Sequence, residues 1–182
     1  MRTVSEQPDE QLTALRTAVR EIEGYAAEAG WDQPARLFAL VPTADLLSRE
    51  PGLAEALGVE AGAAPEALTP VEQEPLAGDR PLEDVLAEIM WPAEVHGCAA
   101  VVERLVLPPA ADDAVPEDPE AAQDFAAEHP EREEVRIVAA AVRGGTTYCA
   151  LRLRSRDDAL DVLESPDMVP ALLELLSGTL QQ

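Results

Sequence analysis

Apolar residues recur at helical spacing near the start of the chain and then gather in short runs. Over residues 12–29 they follow one another at intervals of three and four, which predicts one amphipathic helix ending at Gly30. Shorter helices are predicted where a capping residue or a proline precedes spaced apolar residues. They cover residues 43–57 with a break at Pro51-Gly52, 81–89, 156–163 and 167–177.

Five apolar runs predict strands over residues 36–41, 68–76, 96–107, 135–143 and 146–153. The last two are joined by Gly144-Gly145, a pair that supplies the positive φ angles of a two-residue turn. Pro70 and Pro75 cannot donate to a ladder, so the run over 68–76 is expected at a sheet edge. The order of elements predicts an α+β fold with a mostly antiparallel sheet of about five strands and helices packed mainly on one face.

Residues 110–134 differ from the rest of the chain, with ten acidic residues against one Arg. Three prolines interrupt the segment, and only a short Ala-rich helix over 120–128 is expected within it. Such a charge run is typical of a solvated and mobile excursion. The length otherwise fits a single domain over residues 1–182.

The charge balance excludes several classes of function. Thirteen basic residues, all of them Arg, stand against 36 Asp and Glu, and the formal net charge is −23. A surface this acidic repels phosphate, which argues against nucleic acid and anionic membranes as partners. Without Lys there is no Walker A loop and no Schiff-base chemistry. We expect no signal peptide, and the longest apolar run, over 137–142, is far too short to span a bilayer, so a cytoplasmic location is predicted.

Residues with catalytic or metal-ligating chemistry are few. His96 lies two positions before Cys98 on a predicted strand, which puts both side chains on one face. They are then about 6–7 Å apart, too far for the hydrogen bond of a Cys–His nucleophile pair. Two ligands are also too few for a zinc site. No catalytic residue, metal site or cofactor is therefore predicted, and Cys98 and Cys149 are expected to be buried free thiols.

A basic hairpin contrasts with the acidic remainder of the chain. Residues 135–156 contain five Arg and no acid. Strand alternation puts the guanidinium groups of the second strand on one face together with a tyrosine. The candidate residues for binding an anion or a partner are Arg136, Tyr148, Arg152, Arg154 and Arg156.

Parallel Arg side chains repel one another unless something neutralises them. The acidic segment 110–134, or Asp157 and Asp158, could lie across this face and pair with it internally. The other interpretation is that the face binds an anionic ligand or an acidic partner, because Arg forks fit carboxylate and phosphate.

The segment 88–99 gathers several residue types that are rare in this chain. Trp91 and His96 are the candidate anchors for a partner there, since tryptophan often dominates binding energy. The other interpretation is a helix-to-strand corner filled by the indole ring.

The strings WPAEVHGCAAVVERLVLPP, VRIVAAAVRGGTTYCALRLRSRDD and SPDMVPALLELL begin at residues 91, 135 and 165. Their combination resembles an uncharacterised family of small acidic actinobacterial proteins, over about residues 10–180. This resemblance implies a bacterial cytoplasmic protein and carries no activity. The order of elements is also similar to the α+β fold of type III secretion chaperones, which are acidic and often dimeric partner-binders.

These observations favour a non-catalytic protein-binding or adaptor domain, chaperone-like in character, whose partner is another protein or a second copy of the chain. The alternative is a regulatory domain that binds a small anionic ligand at the Arg-rich hairpin. An enzyme is less expected, because the sequence offers no convincing nucleophile–base pair and no set of metal ligands.

Overall fold

The fold is built on one antiparallel sheet, seen in a computed structural model that describes residues 6–50, 52, 56, 66–76 and 80–181. Its strands are β1 Arg36–Pro42, β2 Leu68–Glu72, β3 Gly97–Val106, β4 Glu133–Val142, β5 Thr147–Leu153 and β6 Leu163–Ser165. They lie in the order β2-β1-β3-β4-β5-β6, and every neighbouring pair is antiparallel. The predicted α+β class is confirmed, and β6 is a strand beyond the five expected.

Along the chain, helices lie before, between and after these strands. They are α1 Glu6–Ala29, α2 Thr43–Arg49, α3 Leu82–Glu88, α4 Pro119–Glu128 and α5 Pro170–Thr179, with shorter 3-10 turns at Pro109–Ala114, Arg154–Arg156 and Ala159–Asp161. The later part of the helix predicted over 43–57 lies outside the described residues, apart from 52 and 56.

The helices cover both faces of the sheet rather than mainly one. The stripe of α1 that includes Leu15 and Ile22 packs on one face, and Leu86 of α3 and Leu176 of α5 pack on the other. The reason lies in the central strands. Residues 97–102 and 135–142 are buried at every position instead of every second one, so each face offers an apolar surface that a helix must cover.

Glycine and proline residues account for several element boundaries that the sequence predicted. Gly30 ends α1 with a φ of 81°, and Gly144 and Gly145 join β4 to β5 with φ of 102° and 98°. Strand β2 lies at the edge of the sheet, as Pro70 requires.

The helix predicted over 156–163 is wrong. Two 3-10 turns and β6 occupy this stretch, because Leu160 and Leu163 stay exposed and only Val162 packs, in part, against the core. Leu160 is 93% exposed. The Asp158 carboxylate accepts a hydrogen bond from the backbone N–H of Leu160 at 2.8 Å, which closes a local turn in place of a helical one. Leu163 instead pairs with Leu151 along β5.

The acidic connection between β3 and β4 carries the predicted Ala-rich helix, observed as α4. The Asp118 side chain caps it by accepting from the backbone N–H of Ala121 at 2.9 Å. Glu133 and Glu134, at the end of the acidic run, belong to β4. Because β3 and β4 are paired neighbours, this connection must lie at the end of the sheet where Val106 faces Glu133.

Candidate functional site

The end of the sheet at which α1 stops carries a dense cluster of charged groups. The turn over residues 30–33 follows the helix, and Asp32 adopts a left-handed φ of 64° there. The Glu103 carboxylate accepts hydrogen bonds from the backbone N–H groups of Asp32 and Gln33, at 2.8 and 2.6 Å. A charged acceptor on β3 therefore holds the turn against the centre of the sheet.

Trp31, in the same turn, contacts two guanidinium groups. The guanidinium carbon of Arg136 lies 4.4 Å from the ring centroid, and that of Arg154 lies 5.6 Å away. The indole N–H donates to Asp157 at 3.1 Å. Both guanidinium distances fall within the range of a cation–π contact.

Arg136 and Arg152 face each other across β4 and β5, and both are buried. Arg152 donates through two nitrogens to the Glu23 carboxylate, at 2.5 and 3.0 Å, and through the third to Asp157 at 3.1 Å. Arg136 donates to the backbone carbonyl of Gly30 at 2.6 Å. Burial lowers the pKa of Arg136, whereas the Glu23 carboxylate raises the pKa of Arg152.

Arg154 stays partly exposed and is shared between two carboxylates. It donates to Asp32 at 2.9 and 3.1 Å and to Glu134 at 2.5 Å. The guanidinium holds the pKa of Asp32 below its usual range. Arg156 is exposed and leaves the predicted Arg face, because regular strand alternation ends at Leu153 where a 3-10 turn begins.

Tyr148 shares the α1 side of the sheet with Arg152 but lies further along β5. Its side chain is buried, and its hydroxyl donates to Glu164 at 3.3 Å. Arg20 of α1 donates to the same carboxylate at 2.8 and 3.0 Å and holds the pKa of Glu164 below its usual range.

Two arginines of the basic hairpin, Arg152 and Arg154, are thus neutralised inside the chain, by groups that the sequence only partly indicated. Asp157 and Glu134 belong to the segments expected to cover it. Glu23 and Asp32, from α1 and its following turn, do not. The available signal for Glu23 was its position four residues after Val19, which puts it at the border of the apolar stripe of α1.

Trp91 and His96 lie at the opposite end of the sheet. Trp91 is 7% exposed and fills the corner between α3 and β3. Arg143 fixes this corner by donating to the carbonyls of Trp91 and Val95 at 3.1 and 2.9 Å, and also to that of Leu180 after α5. The backbone carbonyl of His96 accepts from the Arg143 backbone N–H at 2.9 Å. His96 itself is half-buried.

The two cysteines are free and buried on the same face of the sheet, with β4 between their strands. A separation of two strand spacings is about 9–10 Å, so the thiols do not form a pair. Burial raises the pKa of the Cys98 thiol to about 11.

Strands β3 and β4 extend past their other neighbours at the charged end of the sheet. β1 pairs with β3 only as far as Val101, whereas β4 pairs with it as far as Val106. One side of residues 102–106, which we call the β3 edge, thus has no strand partner within the described part of the chain. Leu105 and Val106 are 41% and 45% exposed. A shallow groove of about 180 Å³ beside this edge is lined by Asp32, Gln33, Glu103, Arg104, Leu105 and Glu134.

Over residues 6–50, 66–76 and 80–181, no three His, Cys, Asp or Glu side chains come together in a way that could hold a metal ion. In the same ranges, no helix has both the length and the apolar character that a membrane span requires.

Comparison with known proteins gives one family. Residues 15–181 match the model of a family described as PPA1309-like protein. No curated protein and no solved structure matches the chain. The matched range includes every residue of the charged cluster and of the β3 edge.

Proposed function

The chain belongs to the PPA1309-like protein family, and we propose that it is a non-catalytic protein-binding domain, an adaptor of chaperone-like character. The observation that carries this proposal is the division of charge at one end of the sheet. Arg152 and Arg154 there are bound by carboxylates of the same chain, while the connection from β3 to β4 leaves seven acidic side chains exposed. These exposed residues are Asp113, Glu117, Asp118, Glu120, Asp124, Glu128 and Glu131, and none of them pairs with an Arg of the described residues.

A surface of this kind fits a basic protein. Opposite potentials raise the rate of encounter and suppress partners of the wrong charge. A second copy of this chain would bring another net charge of −23, and a nucleic acid would bring phosphates, so both are less suited to the surface. The family resemblance supports a cytoplasmic actinobacterial setting for this interaction, which we include in the proposal.

The alternative, a small anionic ligand at the Arg-rich hairpin, has less support. Such a ligand would have to displace Glu23 from Arg152 and Asp32 from Arg154. The Glu23–Arg152 pair is buried, and breaking such a hydrogen-bonded charge pair carries a large penalty.

The proposal is tested by affinity capture from the native host with two charge-reversed proteins of equal net charge. The first carries Glu120→Arg, Asp124→Arg and Glu128→Arg on α4, none of whose side chains is buried. The matched control carries three reversals at exposed acidic positions elsewhere, Asp45→Arg, Glu94→Arg and Glu174→Arg.

The wild-type chain and the control should retain the same basic protein, and the α4 variant should lose it. Equal capture by all three proteins would contradict the proposed role of the acidic surface.

A further inference from the structure

We infer that a basic, extended segment of the partner binds as an added strand along the β3 edge, residues 102–106, with an aliphatic side chain against Leu105. The inference rests on the proposed function, since it states where and how such a domain would hold its partner. Three observations support it. One side of the β3 backbone is unpaired, the neighbouring side chains suit a basic strand, and the outer strands of the sheet are less suited to pairing.

The backbone of β3 offers main-chain hydrogen bonds on one side. Past Val101 the strand is paired with β4 but not with β1, because β1 begins at Arg36, opposite Val101. An exposed strand side presents N–H and C=O groups at alternate residues, and an extended peptide satisfies them by continuing the sheet.

The side chains beside the edge set the chemistry of the added strand. Strand alternation puts Leu105 on the same face as Glu103, and the register places Glu134 opposite Leu105. Asp32 and Glu134 are 76% and 42% exposed, and although both bind Arg154, each carboxylate can accept further hydrogen bonds. An apolar contact flanked by carboxylates on one face fits a strand whose side chains on that same face, two positions apart, are in turn aliphatic and basic.

The outer edges of the sheet are less suited to this role. Pro70 removes a donor from β2, and β6 has three residues. The β3 edge is five residues long and contains no proline.

The first test uses a capped peptide of about ten residues, a length that suits a short added strand. Arg and Val take turns at every second position and Thr fills the positions between, so that one face of the strand carries both Arg and Val. One control peptide has the same sequence with alternate backbone nitrogens methylated, which removes the main-chain donors of one side. A second control has Glu in place of Arg. By fluorescence anisotropy with the full chain, the Arg–Val peptide should bind and each control should bind at least about tenfold more weakly.

The second test changes the protein. Leu105→Arg should weaken binding of the Arg–Val peptide by about tenfold or more, because it removes the apolar contact and adds a like charge. Val71→Arg is the matched control, since Val71 is 40% exposed on β2 and should leave the affinity unchanged.

Equal binding of the methylated peptide, an equal loss in both variants, or no binding of the Arg–Val peptide would each overturn the inference. If the peptide fails to bind while the α4 reversals still abolish capture of the partner, the proposed function stands and the β3 edge is not its site.

Discussion

Arg152 on β5 and Glu23 on α1 form a two-point ion pair that is closed off from solvent, with N···O distances of 2.5 and 3.0 Å. Their side chains are 6% and 8% exposed, and 129 positions separate them in the chain. The pair joins the long first helix to the C-terminal hairpin. It also brings Arg152, from the most basic part of the sequence, into the interior.

Glu23→Ala should destabilise the protein by about 3–5 kcal/mol, because it leaves the Arg152 guanidinium buried without its main counter-charge. Urea denaturation measures the change. Glu83→Ala breaks the exposed pair with Arg104 and should lose no more than about 1 kcal/mol. Losses of similar size in the two variants would contradict a special role for the buried pair.

Acidification should remove stability that depends on Glu164. Arg20 holds the pKa of this carboxyl below its usual range in the folded protein. A carboxylate with a lowered folded-state pKa stabilises the fold above its unfolded-state pKa, and this contribution disappears as the pH falls through the folded-state value.

Glu164→Gln should therefore lower the free energy of unfolding at neutral pH and have little effect in strong acid, so that its stability curve meets that of the wild type on the acid side. Chemical denaturation across the acid range gives both curves. Glu174→Gln, an exposed change on α5, should follow the wild type throughout. An offset for Glu164→Gln that is the same at every pH would contradict the electrostatic explanation.

The thiols should be unreactive in the folded protein. Burial raises the pKa of Cys98 to about 11 and also raises the pKa of Cys149, and the thiolate is the reactive form. Labelling with a thiol reagent near pH 8 should be slow for both and become fast on addition of guanidinium chloride. Rapid labelling of either cysteine without denaturant would show that its site opens readily.

Gly97→Ala should lower the stability of the folded protein. An added Cβ would lie 2.6 Å from the Ala141 carbonyl oxygen and 2.7 Å from the Val142 side chain, so β3 and β4 would have to move apart. We expect a loss of about 1–3 kcal/mol in a thermal or urea unfolding experiment. Gly178→Ala on α5 meets nothing within 4 Å and should be neutral or stabilising by up to about 1 kcal/mol. Comparable losses at both glycines would contradict this argument.

Local chemistry predicted the elements well wherever a strong signal marked them. The stripe of α1, the Gly144-Gly145 turn and the proline of β2 each act through their own backbone or spacing. The helix predicted over 156–163 was wrong. Its apolar residues do have helical spacing, but no surface is present to bury Leu160. Burial is a property of the assembled fold and cannot be read from spacing alone.

The candidate site shows the same limit. Sequence alternation found the basic face of β5, including Arg152 and Arg154, and correctly named Asp157 among its possible counter-charges. It could not find Glu23 or Asp32, because their contacts depend on how α1 crosses the sheet. The β3 edge could not be predicted from the sequence either, since it arises from the length of β3 relative to β1.

The two tryptophans of the chain stand at opposite ends of the sheet, Trp31 beside the charged cluster and Trp91 in the corner held by Arg143. Each indole is therefore a built-in optical probe of a different region. Replacing either ring with phenylalanine would leave the emission of the other as a local signal. Events at the β3 edge could then be followed separately from loosening of the far corner, without attaching a dye to the protein.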